Sequence, residues 1–458
     1  MLRPESVSTK QARIAALART TPARVFTSLN HFIDTEWLRY AYHLTRKDGA
    51  PGVDGQTAAD YSADLEANLQ SLLDRIKSGQ YKAPPVRRVH IPKADGATRP
   101  LGIPTFEDKV AQRAFLLLLE PIYEADFRPH SYGFRPGRSA HQALRELRSQ
   151  IMRCRLHWIL DVDIRQYFDT IDHRWLRGFL DQRVTDGVVR RMIDKWLRAG
   201  ICEGGQVSRP ERGTPQGGVI SPLLANIFLH YVLDEWFQRD VQPRMKRRCG
   251  LVRYADDMVL GFEDVLDCIR VREVLGKRLS KYGLSLHPDK TKMVDFRFGI
   301  PDGKQHPATQ AATFDFLGFT HVWGKSRWGN NVVFQRTAKG RYARALKAIH
   351  DWCKRNRHQS MDEQQELLGK VMTGHYSYYG ITGNGRRIRW YAHAVQRIWH
   401  YWLAHRTRGN QNRWKRFERL LSSHPLPSPR IVHQYTDTTA SEPAARRTGC
   451  GKSARPGL

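Results

Sequence analysis

The sequence predicts an α+β region followed by an all-α region. Up to about residue 320, short apolar strand patterns alternate with helical ones, whereas beyond Gly318 the apolar residues keep helical spacing among many basic residues. The chain has 458 residues, of which 40% are hydrophobic and 26% are charged, a composition typical of a globular protein with two or three domains. No stretch approaches the about 18 uncharged apolar residues that a membrane-spanning helix needs, so no membrane partner is expected.

The first third of the sequence predicts helices around one β-hairpin. Residues 34–78 alternate helical patterns with turn-rich loops, and residues 65–76 place Leu and Ile at helical spacing. Two strand patterns then flank an Asp95-Gly96 turn. Residues 107–125 predict a largely buried helix, and Ser139 is the expected N-cap of the next helix.

The middle of the sequence predicts the central strands. A strand is expected from HWILDVDIRQYF, and helices follow it to about Gly200. A glycine-rich loop, RGTPQGG, then leads into a helix with Ser221 as N-cap and Pro222 as its first residue. The run GLVRYADDMVLGF predicts a β-hairpin whose two apolar strands meet at an acidic turn.

The charge of the chain predicts a nucleic-acid partner. It carries 75 Lys+Arg against 45 Asp+Glu, a formal net charge of +30, which indicates an acidic partner. Residues 321–458 hold 26 Lys+Arg, 7 Asp+Glu and seven of the twelve Trp. Basic residues interleaved with aromatic ones suit phosphate contacts and base stacking, although about half of these Trp are expected in a helix core.

Two weaker features concern location in the cell. The six cysteines form no C-x-x-C pair, which favours a reducing compartment, and we expect a cytoplasmic, nucleoid-associated protein, with an organelle as the alternative. The first 25 residues are basic and lack the apolar core of a secretory signal. We interpret them as an extension that lies on nucleic acid.

Two pairs of carboxylates stand between apolar residues. Asp161 and Asp163 alternate with apolar neighbours, so they share one face of the predicted strand. Asp256 and Asp257 lie at the predicted hairpin turn. Like charges held together are unfavourable without a cation, and carboxylate oxygens suit Mg²⁺. Each pair alone would more often be a solvated turn or strand edge, but together, in a basic chain, they favour a metal site.

The acidic motifs resemble those of a known class of polymerase. YADD between apolar strands resembles the catalytic hairpin of reverse transcriptases, and DIRQYF resembles their first carboxylate motif. The resemblance implies that Asp163, Asp256 and Asp257 are catalytic and bind two Mg²⁺ ions, and it leaves open whether Asp161 contributes. It also implies that Phe168 excludes a nucleotide 2′-OH, with ordinary core packing as an equal alternative.

The wider resemblance is to group II intron-encoded reverse transcriptase/maturases. Seven blocks occur in the order seen in that family, over roughly residues 20–320: GVDG, the segment GQYK to QRA, SYGFRPGRSAHQAL, GTPQGGVISPLLANIFLH, VRYADD, LSLHPDKT and FDFLGF. The resemblance implies a right-hand polymerase of fingers, palm and thumb. It predicts four parts: an N-terminal extension and the start of the fingers (1–80), fingers and palm (81–325), a helical thumb or domain X (326–433) and a disordered tail (434–458).

The resemblance also implies substrate contacts. Lys93 and Arg99 resemble the family's contacts to the incoming triphosphate, with template contact or a solvated hairpin as the alternative. Gln216 and Gly217 resemble the loop beneath the template–primer pair, where a missing side chain allows close backbone approach. Lys290 resembles a residue placed to protonate pyrophosphate, although pairing with Asp289 or contact with solvent is an equal alternative.

The C-terminal third resembles the RNA-binding thumb of the family, with looser motifs. The motif HYSYYG and the arginines after it supply rings and cations for RNA. The residues expected to contact RNA are His375, Tyr376, Tyr378, Tyr379, Arg386, Arg387 and Arg389.

These features predict an RNA-directed DNA polymerase that binds its group II intron RNA and assists splicing and mobility. Expected partners are the intron RNA, an RNA template with a DNA primer, dNTPs and a DNA target site; a homodimer is one option for the oligomeric state. The Cys pairs and clustered His of an H-N-H endonuclease are not seen, so no endonuclease domain is expected. The alternatives are a splicing factor with an idle polymerase site, or a reverse transcriptase of a retron, diversity-generating or CRISPR-associated system.

Overall fold

The helices and strands are those of a computed structural model, which describes residues 4–92, 98–209, 211–214, 217–297, 312–406 and 413–435. Lys93, Gln216, the predicted Asp95-Gly96 turn and residues 436–458 of the predicted tail lie outside the described residues. In the described part, the α-helices are α1 (Pro4–Thr20), α2 (Thr35–Leu44), α3 (Ala58–Ser62), α4 (Leu65–Lys77), α5 (Phe106–Asp126), α6 (Ala140–Cys154), α7 (Tyr167–Thr170), α8 (His173–Asp181), α9 (Gly187–Leu197), α10 (Ser221–Leu229), α11 (Val265–Lys281), α12 (Lys339–Asn356), α13 (Met361–Tyr379), α14 (Gly385–Ala404) and α15 (Arg413–Ser423). The strands there are β1 (Val86–Pro92), β2 (Thr98–Ile103), β3 (Trp158–Val162), β4 (Ile201–Glu203), β5 (Gln206–Ser208), β6 (Cys249–Tyr254), β7 (Asp257–Phe262), β8 (Lys292–Asp295), β9 (Phe314–Phe316), β10 (Phe319–Lys325) and β11 (Asn331–Thr337).

The N-terminal helices pack around α5. Helix α5 is the buried helix expected over residues 107–125, and its apolar residues join the largest hydrophobic cluster of the protein. Helix α1 lies against it and buries Val7, Ile14 and Ala18. Helix α1 is therefore part of the packed structure, and contact of its exposed face with nucleic acid stays a prediction. Its apolar residues recur at helical spacing and form a stripe that a neighbouring helix covers.

The strands of the described residues form three sheets. The first has the order β2-β1-β4-β5, and in it β1 and β2 form the antiparallel pair predicted on either side of the Asp95-Gly96 turn. The second has the order β6-β7-β3-β8 and contains the predicted hairpin of β6 and β7. The third has the order β11-β10-β9. Apolar residues of α6, β3, β6 and β7 form a second core together with the third sheet.

Element boundaries differ from the predictions at two functional positions. Strand β3 ends at Val162, so Asp163 lies one residue beyond it instead of inside the strand. Helix α10 starts at Ser221 with Ile220 as its N-cap, one residue before the predicted cap, and Pro222 stands in its first turn. The prediction of Ser139 as a cap is confirmed, because its hydroxyl accepts the Gln142 N–H and the Gln142 side chain accepts the Ser139 N–H.

The chain beyond Gly318 is not all-α. Strands β10 and β11 pair over seven residues each before the first helix begins, so the prediction of an all-α region from residue 326 is wrong for 331–337. Along β11, Val333, Gln335 and Thr337 are buried while their neighbours are more exposed. This period-2 pattern after a Gly-Asn-Asn turn is a hairpin signal that the surrounding basic residues obscured. The short hairpin of β4 and β5 was also not predicted.

The helical region comprises α12 to α15 around its own core. The buried members of that core are Ile349, Cys353, Leu368, Met372, Tyr376, Ile388, Tyr391, Ala392, Val395, Trp399, Trp402 and Phe417. Trp399 and Trp402 are core residues as expected for part of the Trp set, whereas Trp328, Trp390 and Trp414 are exposed. None of the helices in the described part of the chain has both the length and the apolar character that crossing a bilayer requires.

Candidate active site

The four carboxylates of the two acidic motifs lie together at one end of the second sheet, β6-β7-β3-β8. The register between β3 and β7 pairs Val162 with Met258. Asp163 follows Val162 and Asp257 precedes Met258, so these two residues lie side by side where the strands end. Asp256 is in the two-residue turn that leads into β7, and Asp161 pairs with Val259 one step inside the sheet. Two neighbouring strands thus bring both acidic motifs together.

The electrostatics of this cluster show close, partly desolvated carboxylates. Burial raises the pKa of Asp161 to about 7, and the charges of Asp163 and Asp315 add to the effect. Burial likewise raises the pKa of Asp257 to about 7, reinforced by Asp161, Asp256 and Asp163. The pKa of Asp256 is also raised, first by burial and then by Asp163. Carboxylates with strongly shifted pKa values occur most often at functional sites.

The donor set fits a divalent cation. Its donors are carboxylate oxygens, the ligands that hard cations prefer, and a cation would relieve the mutual repulsion that raises these pKa values. As the described side chains stand, no group of three or more His, Cys, Asp or Glu residues is arranged so that it could hold a metal ion. In this arrangement Lys290 Nζ lies 3.0 Å from Asp163 Oδ2.

The segment carrying Lys290 is attached to the end of β3. His287 N–H donates to the Asp163 carbonyl at 2.8 Å, and Ile164 forms an isolated bridge with Leu286. The predicted alternative of a pair with Asp289 is therefore wrong: Lys290 pairs with Asp163, and Asp289 lies beside His287. The side chain of Lys290 is 63% exposed, so little packing opposes its movement away from the Asp163 carboxylate.

The backbone around the cluster adopts unusual conformations. Five non-glycine residues of the described part have positive φ, and four of them lie in segments next to the acidic cluster. They are Phe134 (φ 56°), Gln166 (φ 47°), Ala255 (φ 58°) and Leu317 (φ 50°). Such conformations cost free energy and persist only where the surrounding structure holds them, which is typical of functional sites.

A buried polar network holds the acidic turn. Arg253 and Asp234 both have fully buried side chains, and Arg253 Nη2 lies 2.5 Å from Asp234 Oδ2. Arg253 Nη1 also donates to Asn226 Oδ1 and to the Ala255 carbonyl, both at 3.0 Å. Burial alone would raise the pKa of Asp234, but the charge and hydrogen bonds of Arg253, with His130 Nε2 3.4 Å away, lower it well below its usual range. Sequence reasoning missed this network; an ionisable residue among the apolar residues of HYVLD was the available signal.

Of the remaining predicted substrate residues, the described part of the chain includes Arg99, Phe168 and Gly217. Phe168 is 8% exposed and packs in the main hydrophobic cluster, and its proposed role against a nucleotide 2′-OH stays a prediction. Arg99 is exposed on β2, and its charge lowers the pKa of Asp256 against the larger effect of burial. Gly217 has φ +113°, and a Cβ there would lie 2.3 Å from the Gly102 carbonyl oxygen. Its missing side chain is required by β2 itself.

Comparisons with known proteins identify the family. Residues 91–321 match the family described as reverse transcriptase (RNA-dependent DNA polymerase). Protein YkfC of Escherichia coli K12 is 36% identical over 362 residues, which covers 71% of this chain and 91% of that protein. The chain belongs to the group II intron-encoded reverse transcriptase/maturase family.

Two further relatives of this reverse transcriptase/maturase are named for introns. The group II intron-encoded protein LtrA of Lactococcus lactis subsp. cremoris is 38% identical over 223 residues, 48% of this chain and 36% of that protein. The nuclear intron maturase 1 of Arabidopsis thaliana, a mitochondrial protein, is 34% identical over 95 residues, 21% of this chain and 13% of that protein. The chain therefore spans most of YkfC but about a third of LtrA.

The predicted RNA contacts of the reverse transcriptase/maturase separate into two groups. Tyr376 has no exposed surface, and His375 stacks on Tyr391 with ring centroids 3.6 Å apart. The prediction of RNA contact is wrong for these two, because this face of α13 packs on α14. Tyr378 and Tyr379 are half-buried. These two tyrosines contact the ring of Phe319.

The arginines of the second group lie at the surface of α14. Arg386 and Arg389 are exposed, and Arg387 is half-buried. The guanidinium groups of Arg386 and Arg387 lie 4.6 and 5.2 Å from the ring centroid of Trp390, which is 45% exposed. RNA binding by these three arginines stays a prediction.

Replacing Gly133 by Ala should disturb the acidic turn of the reverse transcriptase/maturase. A Cβ there would lie 2.3 Å from the Ala255 nitrogen and 2.9 Å from the Tyr254 carbonyl carbon, so the turn must shift. A misplacement of catalytic groups by about 1 Å lowers catalytic rates by about 10²-fold. Overpacking in addition costs about 1–3 kcal/mol of stability. Primer extension and urea unfolding measure the two effects. Gly178→Ala is the matched control, because a Cβ there meets nothing within 4 Å; equal activities of the two variants would contradict the expectation.

Proposed function

We propose that this chain is an RNA-directed DNA polymerase that also binds a group II intron RNA and assists its splicing and mobility. The observation that supports the polymerase most directly is the meeting of Asp163, Asp256 and Asp257 at the end of two neighbouring strands. The net charge of the chain is +30, and the acidic cluster is a small exception within it. This charge supports binding of a polyanionic template and product.

In the proposed mechanism, Asp163, Asp256 and Asp257 would hold two Mg²⁺ ions. Bound there, the ions would make the primer 3′-OH a better nucleophile and stabilise the charge on the departing pyrophosphate. Arg99, together with Lys93, neutralises the triphosphate of the incoming dNTP. Lys290 exchanges its ion pair with Asp163 for the phosphate oxygens, which suits an exposed and flexible cation.

The proposed RNA-binding surface lies mainly in the helical region. Residues 321–458 hold 26 Lys+Arg against 7 Asp+Glu, and Arg386, Arg389 and the exposed Trp390 share one helix. Arginine and aromatic side chains suit the phosphates and unstacked bases of structured RNA. The RNA template with its DNA primer and the DNA target site would bind through the same phosphate chemistry.

The RNA that co-purifies with the protein tests the intron-binding part of the proposal. The full chain is expressed together with its natural flanking DNA, purified at moderate salt and its bound RNA sequenced. We expect one intron with group II domains to be enriched, with binding that weakens steeply as salt rises because phosphate contacts dominate. Bound RNA that matches bulk cellular RNA, with no intron enriched, would contradict intron recognition while leaving the polymerase proposal to its own assay.

A further inference from the structure

A turn of the third sheet connects the helical region to the acidic cluster. The backbone N–H of Leu317 lies close enough to the Asp257 carboxylate to lower its pKa against the larger effect of burial. The carbonyl of the same residue accepts a hydrogen bond from the Tyr378 hydroxyl at 2.8 Å. One peptide segment thus has one of its polar groups on a proposed metal-binding carboxylate and the other on a tyrosine of α13.

The conformation of that turn depends on outside contacts. Leu317 and Gly318 both have positive φ, at 50° and 79°, between the paired residues Phe316 and Phe319. These values are those of a tight hairpin turn, which glycine adopts readily and leucine does not. Phe316 and Phe319 are fully buried, and Ala338 N–H donates to the Gly318 carbonyl at 3.0 Å. The third sheet and the start of α12 therefore fix the ends of the turn, and Tyr378 fixes its centre.

Tyr378 is itself held in place for this contact. His141 Nε2 lies 2.8 Å from the Tyr378 carbonyl oxygen, and the Tyr378 and Phe319 ring centroids are 5.7 Å apart. Burial raises the pKa of Tyr378 to about 12, with smaller contributions that include the charge of Asp257. The hydroxyl is therefore protonated at neutral pH and available as a donor.

We propose that Tyr378 is a positioning residue for Asp257 and acts through the Leu317 turn. Docking of the helical region beside the second sheet would then complete the metal-binding geometry. The inference rests on the proposed polymerase function and deepens it: the tyrosine-rich motif on α13 serves the carboxylates, not the RNA. The hydroxyl orients Leu317, and Leu317 orients the carboxylate.

Tyr378→Phe tests the proposal, with Tyr376→Phe as the matched control on the same helix. Both variants remove one hydroxyl, and that of Tyr376 donates to the Pro427 carbonyl at 3.3 Å inside the helical region. We expect Tyr378→Phe to lower kcat for dNTP incorporation by about tenfold, the size of a lost hydrogen bond, with KM for template–primer unchanged. The control should keep both constants at the wild-type values.

A second measurement does not depend on activity. Mn²⁺ binding to the nucleic-acid-free protein is followed by electron paramagnetic resonance, and Tyr378→Phe is expected to weaken it about threefold or more relative to wild type and to Tyr376→Phe. Wild-type Mn²⁺ affinity in Tyr378→Phe, or a change confined to KM for template–primer, would overturn the positioning role. A wild-type protein that incorporates no dNTP would overturn the proposed function instead, and the Mn²⁺ titration would still decide the positioning role.

Discussion

Asp256→Ala is expected to reduce cDNA synthesis on a poly-rA template with an oligo-dT primer by at least about 10³-fold. The carboxylate lies in the turn between β6 and β7, and its pKa is raised by burial and by Asp163. In phosphoryl transfer the bound metal ions supply several kcal/mol of transition-state stabilisation, and about 4 kcal/mol corresponds to that factor. Incorporation at near wild-type rate in the variant would contradict the assignment of the site.

The loss should be one of chemistry and not of folding. The pKa of Asp256 is raised in the folded state, so this carboxylate binds more protons folded than unfolded, and its contribution lowers stability as pH rises above the ordinary carboxylate pKa of about 4. Removing one of the repelling carboxylates therefore leaves the metal-free protein at neutral pH at least as stable as wild type. A thermal melt without divalent cations measures this. A marked fall in the midpoint would show that Asp256 has a structural role instead.

Two controls complete this experiment. Asp289→Ala removes an exposed carboxylate beside Lys290 that takes no part in the cluster, and it should synthesise cDNA normally. Intron RNA should still bind Asp256→Ala, because binding uses the basic surface. Splicing assistance that survives in this variant also separates the RNA-binding role from the polymerase role.

Arg253→Met should produce the largest loss of stability. It removes the guanidinium partner of the Asp234 carboxylate, at a place where both side chains of the wild-type pair are fully buried. Breaking a buried ion pair in this way costs about 3–5 kcal/mol, measurable by urea unfolding. The pKa of Asp234 is lowered in the folded state, so the wild-type pair contributes fully above about pH 4 and its contribution is lost as pH falls further.

The matched control is the half-exposed pair of Arg177 and Asp194, whose side chains are 28% and 32% exposed. Arg177→Met should cost under about 1 kcal/mol, because solvent already screens that pair. Equal losses in the two variants would show that burial does not govern the Arg253 pair.

A double variant separates folding from function. Arg253→Met with Asp234→Leu removes both charges, which commonly restores most of the lost stability. Arg253 also donates to the Ala255 carbonyl at 3.0 Å, and this hydrogen bond on the acidic turn stays absent in the double variant. We expect a folded protein with strongly reduced incorporation. Full activity in the double variant would mean that the turn needs no support from Arg253.

The sequence predicted the parts of the site that depend on local pattern. The apolar runs around YADD and LDVD specify strands, and alternation places their carboxylates without knowledge of the fold. The residue at which a strand ends could not be predicted from this alternation. Asp163 lies outside β3 because the chain must turn into α7 at Gln166, where φ is 47°. Strand ends depend on pairing partners, and these are distant in sequence.

Contacts over long sequence separations could not be predicted in this way. Arg253, Asn226 and Asp234 each look ordinary in their own segments, and only the packing of α10 and its continuation under β6 brings them together. The same holds for Tyr378, which lies 61 residues from Leu317. An aromatic residue in a basic helical region suits RNA stacking and core packing equally well, so residue type alone could not decide between them.

The hairpin of β10 and β11 sets where this polymerase can be divided. The predicted boundary between residues 325 and 326 would cut through the loop that joins the two strands. A fragment ending there would expose the edge of β10 and the apolar surface that Val333 covers, and such edges promote aggregation. Arg148 and Gln335 also tie β11 to α6 through hydrogen bonds of 3.0 and 2.8 Å. An exchange of helical regions between relatives would therefore have to keep this hairpin with the first two sheets and join the chains at Ala338.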